Sequence, residues 1–180
     1  MKFDYAIKSK SNSDQLNIDD LKVLLRIDYT DEDNRLNDLI NASTSFIESY
    51  CKRELTKSEI TAYYSNFKER NLEIPRGNLI EVNTVQYLDY NTNILTLIDE
   101  SNYIVLNHRI PGEIEFSNNF SFPSVASRSD AVQIDYTAGY ETIPDNLIAS
   151  ILFYASYLYD QDTDKESSAI KLANPYRIYL

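Results

Sequence analysis

The chain has 180 residues, 43% of them hydrophobic and 25% charged, as in an ordinary globular protein of one domain with or without an elaboration. Its 17 basic and 28 acidic residues give a net charge of −11, which opposes tight binding to nucleic acid phosphates. One cysteine, one histidine and three glycines exclude a disulfide framework, a Cys/His zinc site, most histidine-based triads and a glycine-rich phosphate loop.

Neither a membrane span nor a signal peptide is expected. No apolar run reaches the roughly 20 residues that a spanning helix needs. Residues 1–5 lack the apolar segment of a signal peptide. We therefore expect a protein that is made and assembled in the cytoplasm, binds no cofactor and does not contact a membrane.

The first third of the chain predicts an arm and two helices. Residues 1–16 are polar with little periodicity, so we expect a flexible N-terminal arm there. A first helix is predicted over about 17–27, where Asn17 can cap a short apolar face. A second helix is predicted over about 30–52, since residues 30–33 (TDED) suit a capping box and apolar residues then recur at helical spacing.

The middle of the chain predicts a small antiparallel β region over about 60–136. Runs rich in Ile, Val, Thr and Tyr are separated there by turn residues. Seven strands are expected, at 60–67, 72–74, 82–90, 94–98, 103–106, 110–116 and 132–136. Residues 91–93 (NTN) predict a hairpin turn, and residues 117–130 predict a loop long enough to be functional or disordered.

A third helix is predicted over about 143–160, because Pro144 suits a first helical turn and a wide apolar stripe follows. The acidic run at 160–166 ends that pattern. The expected fold class is therefore α+β, with three main helices, a small β region inserted between the second and third, and an extended C-terminal tail. We expect one domain over 17–165.

The remaining residues, 166–180, are predicted to form a docking tail. Its last residues are apolar and aromatic with one arginine: Asn174, Pro175, Tyr176, Arg177, Ile178, Tyr179 and Leu180. Such a segment suits docking into a groove on another protein, or packing back onto its own domain. The residues alone do not choose between these alternatives.

One acidic pattern was compared with a calcium loop. Asp160, Asp162 and Asp164 occupy its first, third and fifth positions, but Lys165 and Lys171 replace the required glycine and glutamate. A solvated acidic turn explains the three aspartates better, so no metal site is expected.

Other chemistry-bearing residues also have simpler explanations. Glu113, Glu115 and Asp135 could supply a carboxylate pair for glycoside hydrolysis, but 28 acidic residues produce such pairs by chance, and a half-exposed strand accounts for them. His108 fits a loop or strand end, because no neighbouring Ser, Cys or Asp arrangement supports acid–base catalysis. Cys51, at a helix end, fits a small buried hydrophobe. No catalytic residue is expected.

Three stretches, read in order, resemble the head–tail connector or adaptor proteins of tailed bacteriophages, of the portal-adaptor type. The first is LKVLLRID at 21–28, followed by TDED at 30–33 and FIESY at 46–50. The second is VQIDYTAGY at 132–140, followed by IPDNLIASIL at 143–152. The third is NPYR at 174–177. The order and spacing of these stretches carry the resemblance over nearly the whole chain from Ile18 onward.

The resemblance implies a structural virion protein and not an enzyme, located in the neck or connector of the virion and assembled in the host bacterial cytoplasm. Such proteins form a ring, usually of twelve copies, which lies under the portal, extends the DNA channel and offers a surface to the stopper or tail. It implies that the helical core contacts ring neighbours and that residues 174–180 contact the portal. DNA would pass without specific binding, since acidic walls repel phosphates.

Other functions stay open at this stage. A stopper, tail-completion or other collar ring protein has a similarly small core with extended arms. An acidic hydrolase would need its carboxylates in a cleft, and a DNA-binding module is opposed by the net charge of −11.

Overall fold

The computed structural model of the protein describes residues 4–11, 15–67 and 69–179. The chain forms two compact units. The first, a β-rich unit, comprises Met1–Ser11 and Thr56–Tyr140, and the second, a helical unit, comprises Asn12–Leu55 and Glu141–Leu180. Within the described residues, every helix is too short or too polar to cross a bilayer.

The β-rich unit contains eight strands in its described part, which pair only in antiparallel fashion: β1 (Asp4–Lys10), β2 (Ser58–Tyr64), β3 (Asn71–Glu73), β4 (Leu79–Leu88), β5 (Leu95–Leu97), β6 (Tyr103–Leu106), β7 (Glu113–Phe116) and β8 (Val132–Ala138). A five-stranded sheet has the order β1-β2-β8-β4-β5, and a three-stranded sheet has the order β3-β7-β6. Strand β8 is therefore the centre of the larger sheet, with β1 and β5 at its two edges.

The core of this unit follows from the alternation of side chains along β8. Val132, Ile134 and Tyr136 are fully buried on one face, while Gln133 and Asp135 are half-buried on the opposite face. Successive side chains of a strand point to opposite faces, so every second residue enters the core. One cluster of buried side chains includes residues of both sheets.

Four phenylalanines hold the long loop at 117–130 against this core. Phe120 stacks on Phe116 with 5.4 Å between ring centroids, and Phe122 stacks on Phe67 with 5.3 Å. Phe116 and Phe122 meet edge to face at 5.2 Å. Aromatic pairs at these separations stabilise beyond their buried area. The loop is thus an ordered part of the β-rich unit.

The helical unit has four α-helices in its described part: α1 (Ile18–Leu25), α2 (Asp33–Cys51), α3 (Asp145–Asp160) and α4 (Thr163–Ala173). The side chain of Asn17 caps α1 by accepting a hydrogen bond from the Asp19 N–H at 3.0 Å, as predicted. Helix α2 begins at Asp33, which is later than predicted. Its N-cap is Glu32, which makes no side-chain capping bond. Residues 30–33 therefore form no capping box.

The predicted fold class, three main helices with a small β region, was wrong. The described residues form a mixed α+β structure with four α-helices and eight strands in two antiparallel sheets, and the β-rich unit dominates. Helix α4 was missed because the acidic run at 160–166 was interpreted only as the end of α3. In the structure Asp162 caps α4 by accepting the Asp164 N–H at 3.0 Å. Acidic residues in a first turn favour a helix, since its N-terminus is the positive end of the dipole.

Strand β1 lies within the segment predicted as an N-terminal arm. All seven of its residues are exposed, so its sequence lacks the buried alternation by which a strand is recognised. Residues 1–3 and 12–14 of that arm lie outside the described residues. Each of the seven strand segments predicted over 60–136 overlaps an observed strand. The division into an arm, a domain over 17–165 and a tail over 166–180 stays a prediction.

Candidate interaction surface at the C-terminal segment

The C-terminal segment, residues 174–179, packs on its own helical unit. A short 3-10 helix, Asn174–Tyr176, follows α4 directly, and Arg177 leaves it in an extended conformation. Ile178 is only 4% exposed, and its N–H donates to the Cys51 carbonyl at 3.0 Å. The segment is therefore held at the C-terminal end of α2. Leu180, the last residue of the predicted tail, lies outside the described residues.

A buried arginine forms the second attachment of this segment. Arg53 is nearly fully buried, and its Nε donates to the Tyr176 carbonyl at 2.5 Å. The backbone N–H of Arg53 donates in turn to the Glu48 carbonyl at 3.1 Å. The Glu48 carboxylate accepts the Leu55 N–H at 3.0 Å. Buried charges are costly unless hydrogen-bonded, so these contacts fix the chain that follows α2.

The third attachment is aromatic. The guanidinium carbon of Arg177 lies 4.8 Å from the ring centroid of Tyr50 and 5.2 Å from that of Tyr179. Both tyrosine hydroxyls donate to Asn174 Oδ1, at 3.1 Å from Tyr50 and 3.2 Å from Tyr179. A cation over an aromatic face is attracted by the negative charge of the ring face. Residues of the segment thus hold one another in one arrangement.

The outward side of the segment is a candidate interaction surface. Asn174, Pro175, Arg177 and Tyr179 are exposed, and the Tyr179 side chain is 73% exposed. Of the two alternatives left open by the sequence, packing onto the chain's own unit is the one realised for residues 174–179. Docking onto another protein stays a prediction, and it would use these four side chains.

Sequence reasoning missed the residues that receive this segment. Arg53 falls just outside the helix predicted over about 30–52, and Tyr50 lies inside it with no long-range partner predicted. Their contacts are with residues more than 120 positions away, which no local pattern reports. The one sequence signal for these long-range contacts is a charged residue directly after an amphipathic helix.

The aspartates compared with a calcium loop have other partners. Asp160 pairs with Lys165, and the hydrogen bond from that lysine is the main cause that lowers the pKa of the Asp160 carboxyl. Asp162 caps α4. Among the described residues, no three His, Cys, Asp or Glu side chains are grouped as a metal site would require.

The carboxylates considered for glycoside chemistry lie in different sheets. Glu113 and Glu115 belong to β7, and Glu113 accepts a hydrogen bond from Arg109 at 2.5 Å. Asp135 belongs to β8 and accepts hydrogen bonds from Lys8 at 2.7 Å and Thr61 at 2.6 Å. Glu113 and Asp135 therefore make separate polar contacts.

The two remaining candidates occupy ordinary positions. His108 is exposed in the turn between β6 and β7. Cys51 is fully buried at the end of α2, where its Sγ lies 3.6 Å from the Ala173 carbonyl oxygen. The prediction of a small buried hydrophobe at this position is confirmed.

The class of protein follows from comparison with known families. A sequence model of the head completion protein family matches residues 15–171, so the chain belongs to that family. The resemblance to head–tail connector proteins is thereby confirmed, and the chain has a structural head–tail connector function. Comparison with curated proteins gave no match.

Three solved structures from gene transfer agent particles share this fold. A chain in the neck of an empty particle, computed with C6 symmetry, has 15% identity and a TM-score of 0.74, with 100% of this chain and 97% of that chain covered. A chain in the virion of a native particle has 15% identity and a TM-score of 0.79, with coverage of 98% and 96%. A chain in the neck of a native particle, computed with C12 symmetry, has 16% identity and a TM-score of 0.69, with coverage of 97% and 96%.

Replacing Asp135 tests the polar contact on the outer face of the sheet. Partial burial raises the pKa of Asp135, but hydrogen bonds from Lys8, Thr61 and Thr84 outweigh it and leave the pKa below its ordinary value. A lowered pKa in the folded state stabilises the protein above the unfolded pKa, and this stabilisation is lost as the pH falls through the folded pKa. We expect Asp135→Asn to lower the free energy of unfolding by about 1–2 kcal/mol at pH 7.

Urea unfolding of both proteins at pH 7 and below pH 4 measures this difference. It should shrink below about pH 4, where the carboxyl of the unfolded chain is protonated. The exposed Asp38→Asn is the matched control and should behave like the parent. A difference in the free energy of unfolding between the parent and Asp135→Asn that is the same at pH 7 and below pH 4 would contradict a lowered pKa of Asp135 in the folded state.

Replacing Ile178 tests the attachment of the C-terminal segment. Because the side chain is buried, we expect Ile178→Ala to lower the free energy of unfolding by about 2–4 kcal/mol. Urea unfolding followed by far-UV circular dichroism measures this loss. Ile110→Ala, at a side chain that is 58% exposed, should leave stability nearly unchanged. Equal stability of both variants would show that the segment is not held as described.

Proposed function

We propose that this chain is a portal-adaptor protein that forms a ring of about twelve copies in the virion neck, beneath the portal, and joins the head to the tail. The observation that carries the proposal is the match of the head completion family over residues 15–171. The neck locations of the structures that share the fold support the position in the particle. The chain would act as a structural part with no catalytic step.

The ring is supported by the symmetry of the related necks, which were computed with C6 and C12 symmetry. A cyclic ring is a closed heterologous assembly, in which each copy presents two different faces to its two neighbours. A copy number that is a multiple of six agrees with both symmetries. Twelve is the number that the C12 neck supports.

Passage of DNA through the ring is supported by charge. The net charge of −11 per chain gives a ring of strongly negative potential. Phosphates are repelled by such a surface, so DNA can move through it without being held. The proposed channel therefore requires no DNA-binding site.

The portal contact is proposed to lie on the exposed side of the C-terminal segment. Pro175, Arg177 and Tyr179 are exposed there, while Ile178 and the Tyr176 carbonyl attach the segment to its own unit. Aromatic and arginine side chains are enriched at protein interfaces. The stopper or tail would meet another surface of the same ring.

Mixing the protein with the portal from the same genome tests the ring. We expect a complex in which one ring of about twelve copies caps one portal, because repeated contacts on a symmetric template strengthen a weak neighbour contact. Native mass spectrometry and electron microscopy of the product measure the copy number and the position. Monomers alone in the presence of portal would contradict the proposal. A ring found only at the tail side of the collar would instead indicate a stopper or tail-completion protein.

Replacing Tyr179 tests the portal contact. Tyr179 is 73% exposed, so Tyr179→Ala should lower stability only slightly, through the lost contacts with Asn174 and Arg177, but weaken portal binding by about 1–3 kcal/mol, as expected for an aromatic interface residue. Binding to immobilised portal measures the change, with Ile110→Ala in the β-rich unit as the control. Unchanged affinity of Tyr179→Ala would remove the C-terminal segment from the proposed contact.

A further inference from the structure

Strand β5 exposes two leucines on the outer face of the five-stranded sheet. Leu97 pairs with Gln86, which in turn pairs with Gln133 of β8. Directly opposed residues of antiparallel strands share a face, so Leu97 lies on the outer face with Gln133. Leu95, two residues away, lies on the same face. Leu97 is 59% exposed and Leu95 is 40% exposed.

The apolar alternation of β5 is thus the reverse of that in β8. Its core face holds Thr96, since Thr96 pairs with Tyr87 and Tyr87 pairs with the buried Val132. Leucines on the outer face stay in contact with water unless another surface covers them. Leu88 is paired with Leu95 and extends this apolar surface. We call the outward side chains the hairpin patch: Leu88, Leu95 and Leu97.

Helix α1 also carries apolar side chains away from its buried side. Leu21 is its one fully buried residue. Val23 lies about 200° further around the helix and is 79% exposed, and Leu24 beside it is 37% exposed. A surface helix normally has one apolar stripe, which faces the core. The uncovered side of α1 therefore indicates a contact with another surface.

Arg26 ends α1 in a backbone conformation that favours glycine. Its φ of 59° and ψ of 42° are in the left-handed region, which residues with a Cβ rarely adopt. The residue is exposed, and its guanidinium forms no ion pair within the described residues. Backbone strain that no such contact offsets suggests that the side chain acts outside its own chain. Together these three residues form the helix patch: Val23, Leu24 and Arg26.

The hairpin patch adjoins a charge of the opposite sign. Glu100 follows Leu97 by three residues, as Arg26 follows Val23 by three. Glu100 is exposed, and its carboxylate forms no ion pair in the part of the chain that the structure describes. Each patch therefore combines exposed apolar side chains with one charge that is available to a partner.

A second copy of this chain has the chemistry that each patch requires. In a cyclic ring every copy presents two unlike faces, so a patch does not meet its own counterpart on a neighbour. The helix patch offers the hairpin patch an unlike apolar face with a complementary charge. Tyr5 and Ile7 of β1 are also exposed, but they pair with the buried Ala62 and Ile60 and so share the core face of the sheet.

We infer that neighbouring copies in the ring meet through these two patches, with the hairpin patch of one copy on the helix patch of the next. The leucines of β5 cover Val23 and Leu24, and Glu100 pairs with Arg26 of the other copy. This inference rests on the proposed ring and names a contact between its neighbours.

Two single variants, Leu97→Cys and Val23→Cys, test the contact on full chains assembled with portal. Each variant adds one exposed cysteine, whereas Cys51 is buried in both. One variant is labelled with a heavy isotope, so mixed and like pairs differ in mass. We expect a short bismaleimide cross-linker to give mixed pairs in an equal mixture and no like pairs in either variant alone, because unlike faces meet in a ring.

The matched control is Ile104→Cys mixed with Val23→Cys, because Ile104 is 58% exposed but lies on β6 in the other sheet. We expect about tenfold fewer mixed pairs, since cysteines outside the contact meet only by diffusion. Electron microscopy of the same samples establishes whether rings are present. Rings without Leu97–Val23 pairs, or with as many pairs in the control, would overturn the patch contact and leave the proposed ring intact. Absence of rings in the parent protein as well would overturn both.

Charge reversal tests the pairing of Arg26 with Glu100. Arg26→Glu and Glu100→Arg should each lower the fraction of portals that carry a ring by about tenfold, since like charges across an interface oppose binding. The double variant should restore ring formation, which a general loss of folding would not allow. Equal ring formation by all variants, or no rescue in the double variant, would overturn this pairing.

Discussion

The double pairing of strand β8 is the constraint on which the β-rich unit depends. With β2 on one side and β4 on the other, β8 must lie in the middle of the sheet, and its alternate residues must enter the core. Val132, Ile134 and Tyr136 meet that requirement on one face. On the opposite face, the carboxylate of Asp135 accepts hydrogen bonds from Lys8 and Thr61. The pairings of β1 with β2 and of β5 with β4 then complete the sheet, so that among the described residues it ends at β1 and β5.

Two adjacent residues of the C-terminal segment differ in role: one attaches the segment to the helical unit and the other is exposed. Ile178 stabilises the helical unit through a buried side chain and a backbone hydrogen bond, whereas Tyr179 next to it is largely exposed. A disordered tail would lose conformational entropy when it docked. Residues 174–179 are already ordered by contacts with Tyr50 and Arg53, so the proposed portal contact would lose less. The same order makes truncation of the segment a poor test of docking, since it would also remove a buried side chain.

Sequence patterns predicted what is local and missed what is long-range. The periodicity of α2, the Asn17 cap and the turn at 91–93 depend on neighbours within a few residues, and the structure contains all three. Strand β1 has no such pattern, because an exposed edge strand buries no alternate face and is defined by pairing with β2. Composition selected the residues of the C-terminal segment, but the partners that receive it lie over 120 positions earlier in the chain. Only the folded chain brings them together.

Charge sets a limit on how such a ring can assemble. Copies that each carry a net charge of −11 repel one another, so a neighbour contact needs local complementarity to offset the repulsion. A neighbour contact that is weak in isolation becomes effective when a symmetric partner holds many copies together. Because of that balance, we expect the proposed ring to assemble on the portal and not in free solution.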